Sequence, residues 1–422
     1  MYKMTTLTNG LRILTVALPY VQSVSLGFFL DVGSRYENES LAGASHFVEH
    51  MAFKGSENHP TPLEIVEAIE GKGGILGAST GLETTLYWAK VASAYLPEAL
   101  DVVSDMLLRS RFTEPDVEKE RAIIGEEISS ILDAPESLSQ LLVNQLQWPE
   151  HPLGREVAGT RQSISALTRG ALLAFMGEHY RPGRVVLGLA GDVEHEQIVD
   201  WATRNLSDWE AGSPGTYEPA PATPWGPKLE VRFKETEQAQ LSFSFAGLSR
   251  GDPDRFGLQL LNVILGEGMQ SRLFQQVREE LGLAYSIGSF TSSLKDTGAV
   301  GIFAGAGPTR TEETIRAILD ELDRLRQEPI PESELVKAVE FVQGRLALSM
   351  EDSFAVAAWY ARQQLLGPEV LEPSEAISRF EAVQTSDIQR LAGAIFQPQR
   401  LNLAIVGPFS HNGDRFHEAI RF

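Results

Sequence analysis

His46-Phe47-Val48-Glu49-His50 is the part of the chain best suited to bind and activate something. Residues four apart share one face of a helix, so His46 and His50 can turn two imidazoles toward a single ion. Glu49, beside them, can reach a water that the ion activates. The order H-x-x-E-H is the inverted zinc-protease motif. With 8 histidines and 57 acidic residues among 422, the pattern arises by chance about 0.02 times per chain. That figure makes two surface histidines and a solvated glutamate the minor reading.

A catalytic zinc needs a third protein ligand and keeps a fourth position open. The chain has no cysteine, which removes thiolate cages, a cysteine nucleophile and a disulfide framework and leaves His, Asp and Glu as the ligand types. Downstream, the helical stretch from Glu118 to Ile128 offers Glu120, Glu126 and Glu127. Glu120 and Glu127 are two turns apart and share a face, whereas Glu126 points away by about 100°. Composition alone does not choose among the three. A competing match, G-x-S-x-G at Gly77-Ala78-Ser79-Thr80-Gly81, would be a serine nucleophile elbow. The elbow needs a strand, turn and helix, but the apolar run Leu86 to Val91 continues as strand, so the zinc reading outweighs it. His59 and His151 sit in Pro-adjacent loop contexts, and His179, His195, His411 and His417 lack a partner at ligand spacing. These six read as surface or capping residues.

These groups must be held by folded elements. Strands are expected at Leu11 to Val16, Val24 to Val32, Thr84 to Val91, Ala239 to Phe245 and Gly298 to Ala304. Helices are expected at Leu63 to Glu70, Leu96 to Arg109, Glu114 to Leu132, Ala166 to Tyr180, Phe256 to Leu265, Glu312 to Arg326 and Glu332 to Ser349. Five prolines and three glycines between Asp208 and Pro227 form a semi-stiff linker near the midpoint. On either side the chain repeats itself: Pro182, Arg184 and Gly191 recur as Pro398, Arg400 and Gly407 at a constant offset, each set a turn followed by an apolar strand. The expected fold is therefore α+β, with two structurally similar α/β sandwich domains from an internal duplication. Residues 1–207 form the metal-binding half, 208–227 the linker and 228–422 the metal-free half. No histidine lies between Glu196 and Ser410, and aligning Lys119 with Lys337 puts Arg345 opposite Glu127, so the second half cannot form a His₂Glu site.

The net charge of −21 opposes binding to a phosphate backbone. No segment is apolar enough to span a membrane, the longest candidate, Val21 to Val32, being broken by polar residues. The first ten residues lack the apolar core of a secretory signal. The expectation is a cytoplasmic protein with no nucleic-acid or membrane partner.

Several segments together give the chain a family likeness: Gly33-Ser34-Arg35, Gly43-Ala44-Ser45-His46 through Phe53-Lys54-Gly55, Gly73-Gly74, Glu118 to Ile128, His151-Pro152-Leu153-Gly154, Ser271-Arg272-Leu273-Phe274, Arg278 and Gly282-Leu283-Ala284-Tyr285-Ser286. On these the chain resembles, nearly end to end, the pitrilysin family of inverted zinc peptidases. It is most similar to the branch of comparable length that includes the mitochondrial processing peptidase subunits and their bacterial relatives. The resemblance implies one Zn²⁺ per chain, with Glu127 as third ligand and Glu120 assisting from behind. It implies that Arg278 and Tyr285 bind the substrate carbonyl region and stabilise the tetrahedral intermediate, supplied in trans within a clamshell homodimer that encloses peptide substrates. It further implies an edge strand that binds substrate by strand addition, where the family's Asn-Ala-x-Thr is replaced by Gly77-Ala78-Ser79-Thr80. Related chains also serve as non-catalytic, peptide-binding or hetero-oligomeric subunits, but those have eroded zinc motifs.

Overall fold

The computed structural model describes residues 2–212, 215–222, 226–409 and 413–420, with the side chains of 413 and 414 excepted; His411 lies outside the described residues. Two sheets organise the chain. The first contains β1 (Lys3–Thr6), β2 (Arg12–Ala17), β3 (Ser23–Leu30), β4 (Ile75–Thr80), β5 (Thr85–Ala92) and β6 (Val185–Gly191), in the order β1-β2-β6-β3-β5-β4. The second contains β7 (Lys228–Phe233), β8 (Ala239–Ala246), β9 (Ala284–Ser293), β10 (Gly298–Ala306) and β11 (Asn402–Gly407), in the order β7-β11-β8-β10-β9. Without β1 the two orders are the same, and in each sheet one pair is parallel, β2 with β6 and β7 with β11. This is the α+β duplication expected from the sequence.

The repeated Pro turn has a clear place in it. Pro182–Arg184 and Pro398–Arg400 each form a 3₁₀ turn before the fully buried strands β6 and β11. Gly191 closes β6 with φ of 137°, and an added Cβ would lie 2.2 Å from the Ser23 carbonyl oxygen, so only glycine fits there.

The compact units depart from a simple division at the linker. One comprises residues 1–128, 156–218 and 347–372, the other 129–155, 219–346 and 373–422. Each unit thus takes in a helix from the other half of the chain. Helix Pro135–Gln147 covers β8 and β11 of the second unit, with Leu138, Leu142 and Val143 packed on Ala404 and Val406. Ser139 is hydrogen-bonded to Ser242 at 2.8 Å, and Gln147 donates to the Gly298 carbonyl at 3.2 Å. Helix Ser353–Leu366 covers β2, β3 and β6 of the first unit. There Val356, Ala357 and Ala361 meet Leu14, Phe29 and Val186, and Ser353 is hydrogen-bonded to Ser25 at 2.8 Å. Apolar faces, not chain order, decide which sheet each of these helices covers.

The helix expected from Ala166 to Tyr180 runs Arg169–His179, and a separate short helix, Arg161–Ala166, precedes it. Thr168 is extended and its side chain accepts from the Ala171 N–H at 3.1 Å, which sets the start of Arg169–His179. Among the described residues no helix is long and apolar enough to cross a membrane.

Candidate metal centre

The H-x-x-E-H segment lies on helix Ala44–Ala52. Glu37, which is buried, sets where this helix begins: its carboxylate accepts from the N–H groups of Gly43 at 2.7 Å and Ser45 at 2.6 Å. An anion at a helix N-terminus satisfies otherwise orphaned donors and suits the dipole. Gly43 has φ of 93°, and an added Cβ would lie 2.7 Å from the Ala158 carbonyl oxygen. Phe47, Val48 and Met51 are buried, which leaves His46 and His50 on the opposite, half-open side.

Helix Glu114–Asp133 supplies the acidic partners. The Glu127 Oε2 lies 3.8 Å from His46 Nε2 and 3.5 Å from His50 Nε2. Ligand atoms from these three residues all fall within 4.8 Å of one another, the one such group among the described residues. Atoms bound to one zinc at about 2.1 Å can be no more than about 4.2 Å apart, so both Glu127 contacts fit a shared ion. Glu120, two turns earlier, is buried; its carboxylate lies 3.0 Å from His50 Nδ1 and 2.7 Å from the Lys54 ammonium. Glu126 instead faces Arg161, 3.7 Å away. The geometry therefore separates the three glutamates that composition left equal.

The electrostatics suit a cation. Burial, with His50 alongside, lowers the His46 imidazole to about 4, so at neutral pH it carries the free lone pair a metal requires. Burial raises the Glu49 carboxyl above its ordinary range, opposed by Thr80 and His50. One Glu49 oxygen, Oε2, is buried with no hydrogen-bond partner. Burial alone would also raise Glu120, but the His50 and Lys54 contacts hold it below the usual carboxylate range. Glu127 is 42% exposed at its side chain, leaving the group open on one side. Two imidazoles, a carboxylate and an acid with one unpartnered oxygen beside them form a donor set that fits zinc.

Gly77, Ala78, Ser79 and Thr80 lie within β4, a strand and not the turn an elbow requires. Arg278 and Tyr285 belong to the second unit. Arg278 sits on a π-helical turn, Phe274–Glu280, with its guanidinium 4.6 Å from the Phe274 ring and 5.6 Å from the Tyr285 ring. Tyr285, at the start of β9, is 75% exposed. Sequence reasoning passed over Glu37 and Lys54. Lys54 stands four residues after His50, a spacing that could have drawn attention to it; Glu37 precedes its helix by several residues and carried no such signal. Of the remaining histidines, His59 lies 3.4 Å from Asp105, His151 accepts from the Leu153 N–H, and His195 is hydrogen-bonded to Thr5 and Thr15.

Residues 12–161 match the family described as Insulinase (Peptidase family M16), and residues 166–341 match the Peptidase M16 inactive domain. The chain is 36% identical to an uncharacterized zinc protease of Streptomyces coelicolor over 99% of its own length and 92% of the relative's. It belongs to peptidase family M16. A second M16 relative, an uncharacterized zinc protease of Bacillus subtilis, is 34% identical over 97% of this chain and 98% of its own. The M16 fold also recurs in a protease from Helicobacter pylori, with a TM-score of 0.90 and 22% identity over 96% of this chain and 99% of that one. The pitrilysin-type, processing-peptidase-like resemblance is thereby borne out. His46, Glu49, His50, Glu120 and Glu127 all fall within the first M16 match, and Arg278 and Tyr285 within the second.

Proposed function

We propose that this M16 chain is a zinc endopeptidase that cleaves peptides or unfolded polypeptide segments. One zinc per chain is held by His46, His50 and Glu127. The observation that carries this reading is the convergence of those three residues with the unpaired, buried Oε2 of Glu49. Bound zinc supplies Lewis acidity, which acidifies water and polarises a carbonyl.

The chain's own groups do the rest. Glu49 takes a proton from the attacking water as its oxygen bonds to the scissile carbon, and delivers that proton to the amide nitrogen as the C–N bond breaks. Glu120 holds the His50 ring in place through Nδ1. The free edge of β4 pairs with the substrate backbone, so Gly77, Ala78, Ser79 and Thr80 orient it. Tyr285 donates to the developing oxyanion and Arg278 binds the adjoining carbonyl region. In this reading the chain works as a homodimer, each protomer lending Arg278 and Tyr285 to its partner's site, in the cytoplasm.

Metal analysis of the purified protein beside a chelator-sensitive peptidase assay tests the proposal. About one zinc per chain, with cleavage lost on chelation and restored by zinc, is the expected result. Zinc-free protein that binds peptide regardless of chelator would make it a non-catalytic subunit instead.

A further inference from the structure

β4 ends the first sheet: it pairs with β5, and among the described residues no strand pairs with its other edge. Side chains along it alternate between two faces. Tyr87, across from Ala78, is hydrogen-bonded to Tyr180 and feels the charge of Glu49, so Ala78 and Thr80 share the face of the metal centre. Ile75, Gly77 and Ser79 occupy the opposite face.

That opposite face has an unusual construction at its middle. Trp88 stands across from Gly77 in the ladder, and its indole lies flat over the glycine: an added Cβ at Gly77 would be 2.8 Å from three of its ring atoms. Phe354, at the start of helix Ser353–Leu366, backs the ring with centroids 4.5 Å apart. Beyond this pair the face is open, with Ile75 53% exposed and Ser79 exposed. Lys90, across from Ile75 on the same face, is paired with Asp352 at 2.6 Å.

Resting on the reading of β4 as a peptide-binding edge, we propose that Trp88 is a specificity-determining residue. The substrate residue that pairs with Gly77 lays an aromatic or large aliphatic side chain against the indole that covers the glycine, on the face away from the metal centre. Paired residues on adjacent strands point to the same face, about 4.5–5.5 Å apart. Because Gly77 has no side chain, nothing stands between that substrate residue and the ring, the arrangement in which an aromatic neighbour rescues a strand glycine. Substrate positions two residues away meet Ile75 or Ser79 instead, so the preference belongs to a single position. It also accounts for Gly77 where the family has Asn: the space an Asn side chain would need is filled by the Trp88 ring, and an apolar contact stands in for the amide hydrogen bond.

The test is a quenched-fluorescence peptide in which each position is set in turn to Phe, Leu or Gly, with kcat and KM measured on the zinc-loaded protein. Wild type is expected to favour Phe or Leu over Gly at one position by about fivefold, mainly in KM. Trp88→Thr should bring that ratio below about twofold, and Gly77→Asn should turn the same position toward small residues. Should Trp88→Thr not fold, as judged by its thermal melt, Gly77→Asn decides. An unchanged ratio in the folded variants, or no apolar preference at any position, overturns the inference. Where wild type cleaves none of the peptides, the series is read as binding by anisotropy. The same Trp88-dependent preference then upholds the inference while refuting the peptidase reading, and no binding refutes both.

Discussion

Glu120 faces His50 Nδ1 at 3.0 Å, which leaves Nε2 as the nitrogen turned toward Glu127. A carboxylate on the far nitrogen fixes the ring's tautomer and raises its basicity. Glu120→Gln is therefore expected to weaken zinc affinity by about 10- to 100-fold, measured by competition with a chromogenic chelator, while the helix content stays at the wild-type level.

Asp105 ties down the loop that follows the motif helix. It accepts from the Asn58 N–H at 3.0 Å, the Asn58 amide at 3.1 Å and Arg109 Nε at 2.6 Å, and it is fully buried. Burial alone would raise its carboxyl, but hydrogen bonds from Ser56, Arg109 and Asn58 hold it below the ordinary 3.8. The unfolded chain thus binds the proton first. The stabilisation is complete above that ordinary value and is lost as pH falls through the lowered one. Asp105→Asn should cost about 1–3 kcal/mol at neutral pH, and urea melts should show the gap to wild type closing as pH drops below the ordinary carboxylate range.

Arg272 braces the segment that leads into the π-helical turn. Its Nε and Nη2 each donate to Glu334 at 2.7 Å, and Nη1 donates to the buried Glu321 at 3.1 Å. Arg272→Ala leaves both carboxylates short of a partner and should cost about 2–3 kcal/mol, and Arg272→Lys should lose part of that because an ammonium cannot form the fork. Arg278→Ala removes a partly exposed guanidinium and should leave the melting temperature within about 1 °C, since substitutions away from buried contacts have small effects. Calorimetry of the three variants checks the contrast.

The exposure of Tyr285 makes it a group whose loss spares the fold. Tyr285→Phe should reduce kcat by about 10²-fold or more with an unchanged melt. Mixing it with Glu49→Gln chains after subunit exchange should recover part of the activity, because one of the two sites then has both groups. No recovery, once exchange is verified by mass-tagged chains, would contradict supply in trans.

Much of this architecture could be read from particular residues. The four-residue spacing of His46 and His50 predicted a shared helical face, and the seven-residue spacing of Glu120 and Glu127 predicted that both would turn the same way. The recurrence of Pro182, Arg184 and Gly191 marked equivalent strands in two equivalent sheets. The helices Pro135–Gln147 and Ser353–Leu366 were not assignable in this way, because an apolar face on a helix does not say which of two similar sheets it will cover. The helix expected from Ala166 to Tyr180 starts three residues later, at Arg169, because the Thr168 side chain caps it. Gly77 was visible as a departure from a family pattern, but its reason, the indole of Trp88 lying over it, depends on strand register and on a ring backed by a helix from far along the chain.

Zinc content and peptide turnover of Glu49→Gln, measured side by side with wild type, decide whether Glu49 moves the proton at a zinc held by His46, His50 and Glu127. Wild-type zinc content with turnover reduced by about 10²- to 10⁴-fold is expected; peptide cleavage at the wild-type rate by the zinc-loaded variant would rule that role out.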